Sequence, residues 1–121
     1  MSKIRKLKSE SLKIRFISFL FITLSLLAHS QPDGEKLFKA NCSACHLITE
    51  KKLIGPGLKG VEDRWESKEL LYQWIKNSQE VIASGDAYAN AIFEEYGKSV
   101  MPAQPVSDED IDAILAYVAN P

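Results

Sequence analysis

The sequence predicts a small all-α domain that follows a separate N-terminal segment. Apolar residues recur at helical spacing in several stretches, and a capping residue precedes most of them. No stretch shows the apolar and polar alternation that is typical of a half-buried strand, and no segment is repeated. We therefore expect short helices joined by turns, within one domain that covers residues 31–121.

Residues 1–30 have the composition of a secretory signal peptide. Residues 1–15 carry six basic side chains against one acid, and residues 16–28 form an uncharged apolar run of 13 residues. Small residues end the segment, and cleavage after Ser30 would leave Gln31 as the new N-terminus. The alternative is an uncleaved membrane anchor, although a spanning helix needs about 20 apolar residues.

The first predicted helix runs from Gly34 to Asn41 and leads directly into residues 42–46. Asp33 is a suitable N-cap for this helix. The apolar side chains that we expect to face inward are Leu37, Phe38 and Ala40.

Residues 42–46 read Cys-Ser-Ala-Cys-His, which is the attachment signature of c-type haem. Two thiols three positions apart lie on one face of a helical turn, so Cys42 and Cys45 can reach the two vinyl groups of one porphyrin. His46 then projects toward the iron, where an imidazole nitrogen can serve as an axial ligand. The motif predicts one covalently bound haem c.

Other functions of Cys42, Cys45 and His46 fit the sequence less well. A structural zinc site needs about four nitrogen or sulfur ligands, and beyond residue 30 the chain offers only Cys42, Cys45 and His46. A thioredoxin-like motif would lie between a strand and a helix, and a plain disulfide would leave His46 without a role. A thiol–disulfide module without haem is kept as an alternative.

Residues 47–60 predict a loop. Residues 47–54 have apolar pairs at both ends, which we expect to tuck inward, around a polar middle that includes Lys51 and Lys52. Residues 55–60 contain three glycines and Pro56, which exclude a regular helix. Such a turn can approach a flat ligand closely, and an ordinary surface turn is the alternative.

The sequence from Lys68 to Asn77 predicts a second helix, with Ser67 as its N-cap. Its apolar stripe includes Trp74, which we expect to be a core residue, and its indole N–H needs a partner if the side chain is buried. Arg64, just ahead of this helix, could face the edge of a cofactor or solvent. The full stripe is Leu70, Leu71, Trp74 and Ile75.

Two more helices are predicted, one from Ala87 to Tyr96 and one from Ser107 onward. Ser84 or Asp86 can cap the first. In the second, the acidic residues 108–110 lie at the N-terminus, where they interact favourably with the positive end of the helix dipole. The inward-facing residues are expected to be Ala91, Ile92 and Tyr96 in the first, and Ile111, Ile114, Leu115 and Val118 in the second.

Residues 98–105 form an irregular segment because two prolines exclude a continuing helix. This segment carries Met101, the one methionine besides Met1. If the iron is six-coordinate through side chains, His46 and Met101 are the easiest pair to propose, with lysine or an open site as alternatives. A thioether ligand raises the reduction potential and occupies the position where oxygen or peroxide would bind, which favours electron transfer over catalysis.

Without residues 1–30 the chain is acidic. Those residues hold 6 of the 15 basic and 1 of the 16 acidic side chains, which leaves 9 against 15, a formal charge of −6. A chain of 91 residues buries only about 60–65% of its surface, so a large apolar cofactor would supply much of the core. No basic stripe with interleaved aromatic residues is present, so we expect no nucleic acid partner.

Together these motifs resemble the small soluble class I cytochromes c, over nearly all of residues 33–119. The resemblance implies a cytochrome c-like fold, with several short helices wrapped around one covalently attached haem. The matching stretches are Gly34-x-x-x-Phe38, the motif at 42–46, Gly55 to Gly60, Trp74 to Asn77, Val100 to Ala103 and Tyr117.

The resemblance also implies roles for particular residues. The Pro56 carbonyl would accept a hydrogen bond from the His46 ring, and Arg64 or Trp74 would bind a haem propionate. The first and last helices would cross, with Gly34 and Phe38 against the face that contains Tyr117. The residues between 78 and 99 exceed what the shortest members need, and we interpret the excess as the helix from Asp86 to Tyr96.

On this basis we expect a periplasmic electron carrier of a respiratory chain, and not an enzyme. Its partners would be a quinol-oxidising complex and a terminal oxidase or reductase, with membrane contact only through partners or an uncleaved anchor. Lys51, Lys52 and Lys59 would help a partner dock, or would simply be solvated. The alternative of another class is a haem enzyme or gas sensor with an open sixth position, in which Met101 does not bind iron.

Overall fold

The computed structural model describes residues 31–121, so the predicted signal peptide lies outside the described residues. In the described part of the chain the regular structure is entirely helical, which confirms the all-α fold class. No helix between residues 31 and 121 is both long enough and apolar enough to cross a bilayer. The helices are α1 (Gly34–Asn41), α2 (Lys68–Lys76), α3 (Ser78–Ala83), α4 (Ala87–Glu95) and α5 (Asp108–Ala119), with a 3₁₀ turn at Glu62–Arg64.

Side-chain caps begin four of the five helices that the structure describes, and they include the two predicted caps, Asp33 and Ser67, and one of the two candidates for α4, Asp86. In each case a side-chain oxygen accepts a hydrogen bond from a backbone N–H of the first turn, which satisfies a donor without a partner inside the helix. The caps are Asp33 of α1, Ser67 of α2, Asp86 of α4 and Ser107 of α5, the last in a reciprocal capping box with Asp110.

Helix α3 was not predicted from the sequence, so the prediction missed the regular structure of residues 78–83. Asn77 adopts a non-helical backbone conformation, with φ −156° and ψ 88°, which ends α2 one residue before the predicted end. The chain resumes helical geometry at once, without a side-chain cap. A helix of six residues is too short to show a clear apolar period.

The first and last helices cross in close contact. A Cβ built on Gly34 would lie 2.0 Å from the Ala113 carbonyl oxygen, so only glycine allows this approach. The rings of Phe38 and Tyr117 pack beside the crossing, with centroids 5.7 Å apart. Ala40 is exposed, contrary to expectation, because it lies on the side of α1 away from α5. The buried residues of this cluster are Phe38, Ile114 and Val118.

A second buried cluster joins α2, α3, α4 and α5 around Trp65. The Trp65 ring lies 5.2 Å from that of Trp74 and 4.9 Å, edge-on, from that of Tyr88. Helix α4 contributes the fully buried Ala89, whereas Ala91 is exposed, so the predicted inner face of α4 was partly wrong. The buried members are Trp65, Leu71, Val81, Ala89, Ile111 and Leu115.

The loop after the cysteine motif also differs from expectation. Leu47 and Ile48 are half-buried, but Leu53 and Ile54 at the other end are 47% and 62% exposed. The short path from Leu53 to Gly55, closed by a hydrogen bond from the Leu53 N–H to the Gly55 carbonyl, turns these side chains outward.

Polar side chains join the outer faces of α2 and α5. Lys68 Nζ lies 2.6 Å from Asp112 Oδ1, and the Tyr72 hydroxyl donates to the same carboxylate. Lys76 and Asp108 form a second pair between the same two helices. The hydrogen bonds from Lys68 and Tyr72 hold the pKa of Asp112 below its usual value.

We expect Gly34→Ala to destabilise the protein. Alanine favours helix by up to about 1 kcal/mol, but its methyl group would meet the backbone of α5, and overpacking costs about 1–3 kcal/mol. The measurement is the free energy of unfolding in denaturant. Lys36→Ala, on the exposed side of α1, is the control and should change stability by less than about 0.5 kcal/mol. Equal stability of the two variants would contradict the close crossing.

We expect Asp112→Asn to remove part of the acid sensitivity of folding. Because the folded pKa of Asp112 is lowered, its contribution is present above the ordinary aspartate pKa of about 3.9 and is lost as pH falls through the lowered value. The stability difference between wild type and variant, measured by thermal unfolding, should therefore shrink as the solution is acidified below pH 3.9. Glu66→Gln, an exposed acid outside this cluster, is the control. A difference that does not vary with pH would refute the coupling.

Candidate functional site

An apolar cleft opens between α2, α4, α5 and the loops that precede and follow these helices. It encloses about 1090 Å³ of space, including the part that is open to solvent. Its helical walls consist of Leu71, Trp74 and Ile75 from α2, Tyr88 and Ile92 from α4, and Ile111, Ile114 and Leu115 from α5.

The structure brings every site residue predicted from sequence into the lining of this one cleft. They come from five separate parts of the chain, so only the folded arrangement brings them together. These residues are Cys42, Cys45, His46, Pro56, Arg64, Trp74 and Met101.

The cysteine motif reaches the cleft because α1 ends immediately before it. The Cys42 N–H donates to the Phe38 carbonyl at 2.8 Å, and the N–H groups of Cys45 and His46 both donate to the Cys42 carbonyl, at 3.1 and 3.0 Å. These bonds wind residues 42–46 into a tight turn. Both cysteine side chains are half-buried and do not form a disulfide with each other, and burial raises the pKa of the Cys42 thiol.

The His46 ring is held by the glycine- and proline-rich loop. Its Nδ1 lies 2.8 Å from the Pro56 carbonyl oxygen, as the resemblance implies. A carbonyl can only accept, so Nδ1 carries the hydrogen and Nε2 keeps the lone pair that can bind a metal. A Cβ on Gly55 would lie 2.5 Å from His46 Cε1, so glycine is required where the loop passes the ring. The Gly55 N–H donates to the Cys45 carbonyl at 2.8 Å and fixes this approach.

Arg64 and Trp74 line the cleft, and both side chains also contact other parts of the protein. The Arg64 guanidinium donates through Nη2 to the Gly57 carbonyl at 2.7 Å, which joins the 3₁₀ turn to the loop beside His46. Trp74 is half-buried and packs on Trp65. Arg64 has five N–H donors, so this one bond does not prevent the guanidinium from also contacting a carboxylate.

Met101 is half-buried in the cleft, and a hydrogen bond from α3 holds the backbone of its segment. The fully buried Ser78 donates its hydroxyl to the Met101 carbonyl at 2.7 Å. The local sequence does not indicate a role for Ser78, because a serine that follows asparagine is typical of an exposed turn. The one available signal was its place directly after a predicted helix end.

Two of the three lysines considered for docking have partners within the chain. Lys52 Nζ lies 4.1 Å from the centroid of the Tyr96 ring, a cation–π contact. Lys59 Nζ lies 3.1 Å from Glu50 Oε1, a pair exposed to solvent. The Lys52 contact joins the loop that carries Pro56 to the end of α4, close to the Met101 segment.

The donor set of the cleft suits a haem and does not suit a bare metal ion. Within residues 31–121 no group of three or more histidine, cysteine, aspartate or glutamate side chains could hold a metal ion. An apolar cleft with two thiols, an oriented imidazole and a thioether matches a flat apolar ring with a central iron.

Comparison with known proteins gives the same result. The family profile described as cytochrome c matches residues 32–120. A cytochrome c6 of Thermosynechococcus vestitus is 31% identical over 120 residues, covering 90% of this chain and 93% of the relative. A cytochrome c-551 of Stutzerimonas stutzeri is 30% identical, covering 73% of this chain and 76% of the relative.

Solved structures also match the described fold. The cytochrome c domain of a Pseudomonas putida protein has a TM-score of 0.59 and 28% identity, and covers 70% of this chain and 83% of the solved one. A cytochrome c from Rhodothermus marinus has a TM-score of 0.57 and 29% identity, with 71% of each chain covered.

We expect Gly55→Ala to displace the His46 ring from the Pro56 carbonyl, because the added methyl group would overlap the ring. In nuclear magnetic resonance spectra of the reduced protein, the slowly exchanging Nδ1–H signal of His46 should be lost. Lys51→Ala, at an exposed position of the same loop, should retain the signal. An unchanged Nδ1–H signal in Gly55→Ala would contradict the close packing of Gly55 on His46.

Proposed function

The chain belongs to the cytochrome c family as a small class I member with one haem, and we propose that it is an exported electron carrier whose iron is bound by His46 and Met101. Electron transfer by a c-type cytochrome is the activity that the family supports. The family's carriers are not enzymes, so the cleft is interpreted as a redox site and not as a substrate pocket. The axial pair, the export and the respiratory role are the proposal.

Different cleft residues would bind different parts of the haem. Cys42 and Cys45 would attach it through thioether bonds, which make the attachment permanent. His46 would bind the iron through Nε2, since the Pro56 carbonyl occupies Nδ1. When bound, haem c supplies the iron that gains or loses one electron.

The observation that carries the proposal is that the oriented imidazole of His46 and the thioether of Met101 line the same apolar cleft. In the described chain these are the one histidine and the one methionine. A thioether ligand favours ferrous iron and so raises the reduction potential. With that ligand in place the sixth position is filled, which disfavours the alternative of a haem enzyme or gas sensor.

Electrons would pass where the cleft reaches the surface. Ile54 and Val100 both line the cleft and are 62% and 40% exposed, so an apolar rim separates the cleft from solvent. A partner that covers this rim would approach the cofactor edge closely. The lysines Lys51, Lys52 and Lys59 support partner docking less than this rim does, because Lys52 and Lys59 already have partners within the chain.

The proposed location and partners rest on the N-terminal sequence and on the redox chemistry. Residues 1–30 have the composition of a signal peptide, and c-type haem is attached outside the cytoplasm, which together support the periplasm. A high-potential carrier there would accept electrons from a quinol-oxidising complex and pass them to a terminal oxidase or reductase. Arg64 and Trp74, both in the cleft lining, remain the candidates for contact with the propionates.

We expect the protein, exported from a host with c-type haem maturation, to show the sharp bands of low-spin haem when reduced and a weak red-edge sulfur-to-iron band when oxidised. In Met101→Ala the sulfur-to-iron band should disappear and the reduction potential should fall, because the thioether that favours ferrous iron is gone.

Val100→Ala, which changes the neighbouring exposed side chain, is the control and should keep the band. A high-spin spectrum of the wild-type protein would favour the open sixth position. Low-spin bands without the sulfur band would remove Met101 from the ligands. A protein without haem would leave the thiol–disulfide alternative.

A further inference from the structure

The break between α2 and α3 places two hydrogen-bonding groups against the segment that carries Met101. The Ser78 hydroxyl donates to the Met101 carbonyl at 2.7 Å. On the other side of Asn77, the Lys76 carbonyl accepts a hydrogen bond from the Gln104 N–H at 3.2 Å. The segment is therefore bonded to this break at Met101 and at Gln104, which are three residues apart in the sequence.

Both groups are available because the helix is interrupted. The last carbonyls of an α-helix have no partner inside the helix, and the non-helical backbone of Asn77 leaves the Lys76 carbonyl in that position. Ser78 begins the next helix with its side chain fully buried. A buried hydroxyl needs a partner, and the structure gives it the carbonyl of Met101.

The Met101 segment has no helix of its own to fix it. Residues 98–107 contain no regular element, and Lys98 and Ser99 bond only to the end of α4. An irregular loop loses considerable conformational entropy when one of its side chains is fixed. Bonds that already hold the loop in place reduce that loss.

We propose that Ser78 is a positioning residue for Met101: its buried hydrogen bond holds the loop where the thioether can bind the iron. The inference rests on the proposed axial pair and deepens it, by assigning the strength of the Met101 ligation to a residue that touches neither iron nor haem in the proposal. Loss of the Ser78 hydroxyl should free the loop and make Met101 easier to displace.

The test is a titration of the oxidised holoprotein with imidazole, which competes with Met101 for the iron and removes the sulfur-to-iron band. One neutral hydrogen bond contributes about 0.5–1.5 kcal/mol, so Ser78→Ala should raise the apparent affinity for imidazole about two- to twelvefold. The substitution removes one oxygen atom, so the variant should fold.

Two control variants separate the hydrogen bond from general loosening of α3. Ser84→Ala makes the same substitution at the other end of α3, where the Ser84 hydroxyl donates to the Val81 carbonyl at 2.7 Å. Val81→Ala shortens a buried side chain of the same helix. Neither residue is bonded to Met101 in the described structure, and each variant should change the imidazole affinity by less than about twofold.

Amide hydrogen exchange locates the effect within the chain. In Ser78→Ala the Gln104 amide, which is bonded to the Lys76 carbonyl, should exchange faster by a factor similar to the gain in imidazole affinity. The Asn77 amide, bonded to the Gln73 carbonyl, should not change. Acceleration of both amides alike would indicate general unfolding and would overturn the inference.

The remaining outcomes separate this inference from the proposed function. If wild-type protein shows the sulfur-to-iron band but Ser78→Ala titrates like Ser84→Ala or Val81→Ala, Ser78 does not position Met101 and the axial pair still stands. If the wild-type protein lacks the band, the axial pair fails and the positioning role fails with it.

Discussion

The close crossing of α1 and α5 is the contact on which the rest of the structure depends. Gly34 allows the backbones to meet, and the Phe38 and Tyr117 rings pack beside the contact. Because the cysteine motif follows α1 directly, this crossing also packs Cys42 against the cluster that includes Ile114 and Val118 of α5. The inner side of α5 then becomes one wall of the cleft. The crossing of α1 and α5 thus positions the residues of the cysteine motif.

Interruptions of regular structure supply the groups that shape the site. The turn at 55–60 directs the Pro56 carbonyl at His46, and Gly55 makes room for the ring. The break at Asn77 likewise provides the Lys76 carbonyl and the Ser78 hydroxyl that bond to the Met101 segment. Groups without partners in a helix are obliged to find them elsewhere, and in this protein the site provides those partners.

The charges lie outside this apolar interior. Ion pairs between the outer faces of α2 and α5 are exposed, so each contributes little to the stability of the fold. The cleft itself is lined almost wholly by apolar side chains. A redox centre in such surroundings changes charge in a medium of low polarity, and this environment and the axial ligands together set its potential.

The sequence alone determined the helical class and the motif at 42–46, because these depend on local spacing and on residue chemistry. The starts of α1 and α2 follow from the caps Asp33 and Ser67, whose hydrogen bonds are formed within a single turn. Only the tertiary structure decided the orientation of Ile54, the burial of Trp65 and the role of Ser78. Each of these depends on contacts between residues far apart in the chain, and local patterns contain no information about such contacts.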